Sequence, residues 1–247
     1  MLNALVRILR SALCALFFLM FGIGGLLFSL VLLLPVPARL ARTMMRLQFR
    51  LFVWGAKVTG LFAVDASPSD RERFKSFRGA VVVANHISLI DFVILVSLVR
   101  DSVCVTKGAV GRNPFMRVIA RKVLVVNDGP DAVLRRSCEL LADGANVVVF
   151  PEGTRTPEDS SSHVFRRGAA HLSLRTGAPI ETVRISCNPP VLGKRQPWWD
   201  VGDRTIRYTF RHAGRIDAMA VRSGGYAALR DAAKELTDRA KEMVFRS

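Results

Sequence analysis

The stretch ANHISLIDF, residues 84–92, places an imidazole and a carboxylate five positions apart, His86 and Asp91. It follows a short β-branched run directly, so the pair falls at a strand-to-helix junction, where a short loop carries side chains to a sheet edge. A hydroxyl is a poor nucleophile at neutral pH and needs a base to take its proton as it attacks. A neutral imidazole suits that role, since its ordinary pKa lies near working pH. A carboxylate on the other ring nitrogen fixes the tautomer and stabilises the imidazolium. The attacking hydroxyl would belong to the substrate, so no protein serine is required. The spacing alone is equally compatible with a structural role.

A second segment, VVVFPEGTRT (147–156), runs from a strand into a turn holding Glu152, Gly153, Thr154 and Arg155. A guanidinium and a hydroxyl beside backbone donors form a clamp for phosphate or carboxylate, and Gly153 permits a tight backbone path. FRRG (165–168) follows, so Arg166 and Arg167 precede a helical stretch, either as a solvated basic face or in contact with lipid. The other histidines, His163, His171 and His212, have no carboxylate or cysteine partners at metal-ligand spacing and read as surface or structural residues. No glycine-rich nucleotide loop and no metal cluster stands out, so no metal and no cofactor is implied. Cys14, Cys104, Cys138 and Cys187 are isolated among apolar residues and read as small buried hydrophobes of a reducing compartment.

Those groups need a scaffold. The runs 80–84, 102–106, 123–127 and 146–150 read as buried strands, joined by 178–186 and by the alternating run 205–210. A helix is expected from about Asp131 to Gly144. A closing helix from Ser223 places Tyr226, Leu229, Ala233, Leu236, Ala240 and Val244 on one face. Strands alternating with helices point to an α/β sheet domain. SPSDRER and PEDSSSH read as surface loops.

Residues 11–34 carry no charge and no proline. As a helix they would extend about 36 Å at ~1.5 Å per residue, enough to cross a hydrocarbon core about 30 Å thick. Gly22, Gly24 and Gly25 at the midpoint leave a re-entrant hairpin open as well. A signal peptide fits less well, because the apolar run is long and no small-residue cleavage site follows. Beyond Pro35 and Pro37, Arg39, Arg42, Arg46, Arg50 and Lys57 alternate with apolar residues in a basic amphipathic helix. Such a helix either lies among lipid headgroups or packs on the domain. The reading is therefore a membrane-anchoring segment over 1–62 and a catalytic domain over 63–247. The basic excess after the apolar run places that domain on the cytoplasmic side of the inner membrane. Trp198 and Trp199, near Lys194, Arg195 and Arg204, either anchor at the bilayer interface or pack in a core. The formal charge of +16 also fits a nucleic-acid surface, but no exposed aromatics or binding motif accompany it. Nucleic acid is therefore excluded as a partner in favour of membrane lipid.

Taken together, N-H-x4-D, then F-P-E-G-T-R some sixty residues later, then F-R-R-G, resemble the 1-acylglycerol-3-phosphate acyltransferase family over roughly residues 80 to 190. The resemblance implies a glycerolipid-acyltransferase-like sheet flanked by helices at a membrane surface. It also implies acyl-CoA or acyl-carrier protein as donor and a lysolipid acceptor, with lysophosphatidate giving phosphatidate. It assigns His86 as catalytic base, Asp91 as its partner, and Glu152, Gly153 and Arg155 to the acceptor phosphate site. Where the family commonly has Lys-x-Glu-Leu, this chain has Lys107-Gly108-Ala109-Val110 and keeps the lysine. The usual hydrophobic-Asp-Arg stretch is Val125-Val126-Asn127-Asp128, without its arginine. The usual V-P-I-x-P-V is Ala178-Pro179-Ile180-Glu181-Thr182-Val183. These departures leave room for another lysolipid or specialised acceptor, unless Arg112, Arg121 or Lys122 supplies the missing charge from a neighbouring turn. A catalytically silent module that binds lipid or carrier protein remains the contrasting reading.

Overall fold

The computed structural model describes residues 2–113, 116–157, 163–194, 196–223 and 229–246. Within it the apolar amino-terminal run forms one helix, α1 (Leu2–Val31). Gly22, Gly24 and Gly25 lie inside α1 without breaking it, so the hairpin alternative gives way to a continuous helix. A glycine there costs about 1 kcal/mol of propensity, which neighbouring turns absorb.

Pro35 and Pro37 separate α1 from α2 (Ala38–Val58). Ala41, Met45, Phe49, Phe52 and Ala56 recur at helical spacing and bury one face of α2. Phe17, Phe18 and Phe21 of α1 meet Phe49 and Phe52 with ring centroids between 4.6 and 5.9 Å. Gly55 permits that approach, because a Cβ there would lie 2.5 Å from the Phe17 ring. Both ends of α1 are tied to the body. Arg10 donates to the carbonyls of Gly60, Leu61 and Arg204, Arg7 pairs with Asp200, and Lys122 donates to the Leu34 carbonyl at 2.9 Å. The helix therefore lies lengthwise against the domain with its outer apolar face exposed.

One expectation for α2 fails. Arg42 does not face outward: its side chain is 1% exposed and pairs with Asp101 and Asp143. At that point the helix crosses the loops that carry the two aspartates, and an unpaired buried guanidinium there would be costly.

The rest of the chain runs β1 (Phe62–Asp65), α3 (Pro68–Ser76), β2 (Val81–Ala84), α4 (Asp91–Leu98), β3 (Ser102–Lys107), α5 (Gly108–Arg112), α6 (Arg117–Val123), β4 (Val125–Asn127), α7 (Pro130–Ala142), β5 (Asn146–Val149), α8 (Gly168–Thr176), β6 (Ile180–Asn188), β7 (Ile206–Ile216), α9 (Ala218–Ser223) and α10 (Leu229–Phe245). The SPSDRER stretch, expected as a loop, opens α3. Ser67 caps it by accepting the Asp70 amide at 3.0 Å, and Pro68 takes the first turn. The strand expected over 123–127 shortens to β4, because α6 runs through Val123. The expected start of the closing helix, with Tyr226, lies outside the described residues, as does most of PEDSSSH; α10 is described from Leu229.

The seven strands form one sheet in the order β1-β7-β6-β2-β5-β3-β4. β6, β2, β5, β3 and β4 are parallel, while β7 runs antiparallel to β6 and parallel to β1. Val82, Ala84, Cys104 and Val148 face the α1, α2 and α4 side, and Val81, Val83, Val103 and Val147 face α7, α8 and α10. Every residue of β2 is buried, as a central parallel strand covered on both faces requires. The chain leaves β2 through α4 on one face and leaves the adjacent β5 through α8 on the other. This makes the carboxyl ends of β2 and β5 a switch point, where open α/β sheets hold ligands.

Candidate active site

His86 enters two residues beyond β2. Asn85 sets its approach: its amide donates to the Ile185 carbonyl at 2.8 Å and its oxygen accepts the Ile185 amide at 2.7 Å. The loop thus leaves the sheet stitched to β6. Asp91 opens α4 and is fully buried. Its Oδ2 accepts the Ile87 and Ser88 amides at 2.7 and 2.8 Å and lies 3.0 Å from His86 Nδ1. Its Oδ1 accepts the Ser88 hydroxyl at 2.8 Å. These donors, together with the positive end of α4, offset the burial of the carboxylate. In the tautomer this network favours, Nδ1–H points at Asp91 and Nε2 carries the lone pair. The His86 ring stacks on Phe150 at 4.4 Å and stays 21% exposed, which leaves Nε2 open for a proton.

The FPEGTRT turn grips the peptide of His86 on both sides. Glu152 Oε1 accepts the His86 amide at 3.0 Å, and the Thr156 amide donates to the His86 carbonyl at 2.7 Å. Glu152 is buried, so its carboxylate is turned to the backbone of the neighbouring loop. Gly153 adopts φ +66, and the Arg166 guanidinium lies 3.4 Å from where a Cβ on it would sit. Thr154 is half-buried in the same turn. Arg155 Nη1 donates to the carbonyls of Leu192 and Gly193 at 2.8 and 3.0 Å, tying the β6–β7 connection to this edge.

Lys107 and Arg167 lie farther out. Lys107 ends β3, exposed on the same sheet edge but with β5 between β3 and β2, hence on the order of 10 Å away across two strand spacings. Arg167 stands half-buried at the start of α8, and it is Arg166 whose guanidinium meets the Gly153 turn. At the Asn127–Asp128 turn, Arg112 Nη1 and Asp128 Oδ1 come within 3.1 and 3.3 Å of the point a Gly108 Cβ would occupy. Arg112 thereby reaches the turn that lacks its own arginine, whereas Lys122 is held on the Leu34 carbonyl between α1 and α2.

Sequence reasoning passed over Tyr208 and the apolar cavity near this edge, and read the other histidines only as surface or structural residues. Tyr208 of β7 is fully buried close to Ser88, Cys187 and Asp91, and burial holds its phenol well above the ordinary range. His163 is buried, with Nδ1 3.5 Å from Glu152 Oε2. His212 pairs with the buried Glu181 at 2.7 Å, alongside Arg215, and His171 is exposed on α8. An apolar cavity of about 600 Å³ opens between α1, α2, α4 and α6, lined by Phe18, Gly22, Gly25, Phe49, Ile119 and Trp198 among others. Phe92, next in sequence to Asp91, is part of its wall and packs edge-on against Phe49 at 5.1 Å. Trp198 packs on Phe18 at 5.5 Å with its other side exposed, while Arg195 lies outside the described residues. Among the described residues no three metal-ligating side chains cluster.

A family model described as Acyltransferase matches residues 66–186, which contain the dyad, the FPEGTRT turn and FRRG. Residues 66–186, just under half of the chain, belong to the acyltransferase family. Over 112 residues it is 31% identical to a chloroplastic 1-acyl-sn-glycerol-3-phosphate acyltransferase of Brassica napus, covering 42% of this chain and 32% of that one. A chloroplastic protein of the same description from Arabidopsis thaliana is 32% identical over 113 residues, 43% of this chain and 31% of its own. The chain thus spans about a third of the length of these curated relatives. The crystal structure of the 1-acyl-sn-glycerophosphate acyltransferase PlsC from Thermotoga maritima superposes with a TM-score of 0.65 at 23% identity, over 98% of this chain and 99% of that one. That likeness establishes a shared fold for this chain, a mixed α/β sheet flanked by helices with the amino-terminal helices included.

Proposed function

We propose that this protein is a membrane-bound O-acyltransferase that moves a fatty acyl group from a thioester, acyl-CoA or acyl-carrier protein, to the hydroxyl of a lysophospholipid. The acceptor proposed first is 1-acylglycerol-3-phosphate, which would yield phosphatidate. The observation that carries this is the His86–Asp91 pair, with Nδ1 on a buried carboxylate and Nε2 open, and with Phe92, next in sequence to Asp91, in the wall of an apolar cavity able to take an acyl chain. His86 Nε2 takes the proton of the acceptor hydroxyl as its oxygen attacks the thioester carbonyl. The tetrahedral intermediate then collapses, the carbon–sulfur bond breaks, and the departing thiolate recovers the proton from the imidazolium. Asp91 holds the tautomer and stabilises the imidazolium. Glu152 and Thr156 keep the His86 peptide in place, and no cofactor takes part.

Arg166 over the Gly153 turn and Arg112 at the Asn127–Asp128 turn supply charge for the acceptor phosphate, with Arg155, Arg167 and Lys107 along the same edge. Residues 1–62 serve as the anchor. Because α1 is tied to the domain at both ends, its exposed apolar face and that of α2 lie in the bilayer interface, and the domain rests on the cytoplasmic face. Trp54 and Trp199, both exposed, suit the headgroup level.

A panel of lysolipids, each offered with acyl-CoA and with acyl-carrier protein, tests the reading. Transfer to lysophosphatidate from either donor supports it. Transfer only to a phosphate-free acceptor shifts it to a specialised lipid, and no transfer to any acceptor leaves the silent lipid-binding module.

A further inference from the structure

His163 is a second buried histidine beside the reactive one, and the chemistry described so far gives it no task. It is 8% exposed, with its Nδ1 3.5 Å from Oε2 of Glu152, whose side chain is wholly buried. The other oxygen of that carboxylate accepts the amide of His86. Among the described residues, neither Glu152 Oε2 nor either ring nitrogen of His163 has a hydrogen-bond partner. Two buried polar groups therefore face one another across a gap slightly too long for a hydrogen bond. Contacts of this kind at reacting sites often tighten only when substrate is bound.

The ring is held from behind. Phe245, at the end of α10, packs on it at a tilt with centroids 4.2 Å apart, and Phe165 packs on Phe245 at 5.8 Å. The last turn of the chain thus presses an imidazole toward the carboxylate that fixes the reactive loop.

We propose that His163 is a positioning residue for acyl transfer: its Nδ1 holds the second oxygen of Glu152, so that the first oxygen stays on the His86 amide. The inference rests on the acyltransferase reading above. A carboxylate oxygen left without this neighbour has freedom to rotate, and the His86 peptide then loses one of its two grips. The Thr156 amide remains, so the loop loosens without unfolding. His163 touches no reacting atom in this scheme and acts only through Glu152.

The test compares His163→Leu with His163→Asn in the full-length protein, with His86→Ala as the inactive reference. Leucine fills space without a donor, while asparagine places an amide nitrogen near the Nδ1 position. His163→Leu is expected to lower kcat about ten- to hundredfold, the scale of a small misplacement of a catalytic group. KM for donor and acceptor should stay within about twofold, and circular dichroism and Tm should be near those of the parent. His163→Asn is expected to recover most of the lost kcat. A parental kcat in His163→Leu, a change in KM alone, or an asparagine variant no better than leucine overturns the proposal and leaves the acyltransferase reading standing. If the parent transfers no acyl group, that reading fails separately. The imidazole ¹⁵N shifts of His86 in parent and His163→Leu then decide the positioning, and unchanged shifts overturn it.

Discussion

Gly25 offers a test of whether the apolar cavity holds the acyl chain. It lines the cavity from α1, and a Cβ added there meets nothing within 4 Å. Gly25→Leu adds four carbons to the wall of a space of about 600 Å³, the first of them clear of every neighbour. Replacing glycine inside a helix also favours the helix by about 0.8–1 kcal/mol, so folding should not suffer. Four carbons displace about four methylenes of a bound chain, each worth about 0.8 kcal/mol of burial. The longest chain accepted by the parent should therefore lose about 3 kcal/mol, on the order of a hundredfold in kcat/KM at about 1.4 kcal/mol per tenfold. Chains about four carbons shorter should lose little, so the preference moves to shorter donors. The assay offers competing saturated acyl-CoA donors in steps of two carbons and reads the products by mass spectrometry. Gly22→Leu should act in the same sense. Gly24 is absent from the lining and a Cβ there would sit 3.0 Å from Gln48 Nε2, so Gly24→Ala should leave the profile alone. An unchanged chain-length profile in both lining variants would refute the cavity as the acyl site.

Asp91→Asn should reduce kcat by about 10³- to 10⁴-fold with little change in KM, the scale of losing the orienting carboxylate in a Ser-His-Asp triad; steady-state kinetics measures it. Arg42→Met should cost about 2 kcal/mol, less than the loss of a fully buried pair because the Asp101 side chain is 25% exposed. That corresponds to roughly 4–8 °C in Tm for a chain of this size. The Arg42 hydrogen bond holds the Asp143 carboxyl below its usual range. Its share of stability is therefore present above the ordinary aspartate pKa of about 3.9 and fades as pH falls through the lower folded value. The gap between parent and Arg42→Met should narrow over that acid window in denaturant titrations. Burial pushes the Cys104 thiol up to about 12, so iodoacetamide at mildly alkaline pH should label Cys104 only after denaturation, with peptide mapping as the readout.

What was legible in the sequence follows from which signals are local. The β-branched runs at β2, β3 and β5 announce buried strands because each stands on consecutive residues. The His86–Asp91 pair and the FPEGTRT turn carry their chemistry in residue type. β1 is four residues without alternation, and α3 is almost wholly polar, so neither shows a period; α3 is visible only through Ser67 and Pro68 as a helix start. Periodic arginines mark the stripe of α2 but cannot show that Arg42 is buried beneath the loops of Asp101 and Asp143. Glu152 reads as a ligand group because its partner, the amide of a residue sixty-six positions earlier, leaves no trace in side-chain type. Arg155 and His163 are similar cases. Their partners at Leu192, Gly193 and Phe245 become neighbours only when β6 and α10 return to the same edge.

The most direct measurement is acyl transfer from a thioester to lysophosphatidate by the purified protein and by His86→Ala, side by side in lipid vesicles. The account predicts transfer by the parent and a loss of at least about a thousandfold in the variant, with its fold intact. Undiminished transfer by His86→Ala would contradict it.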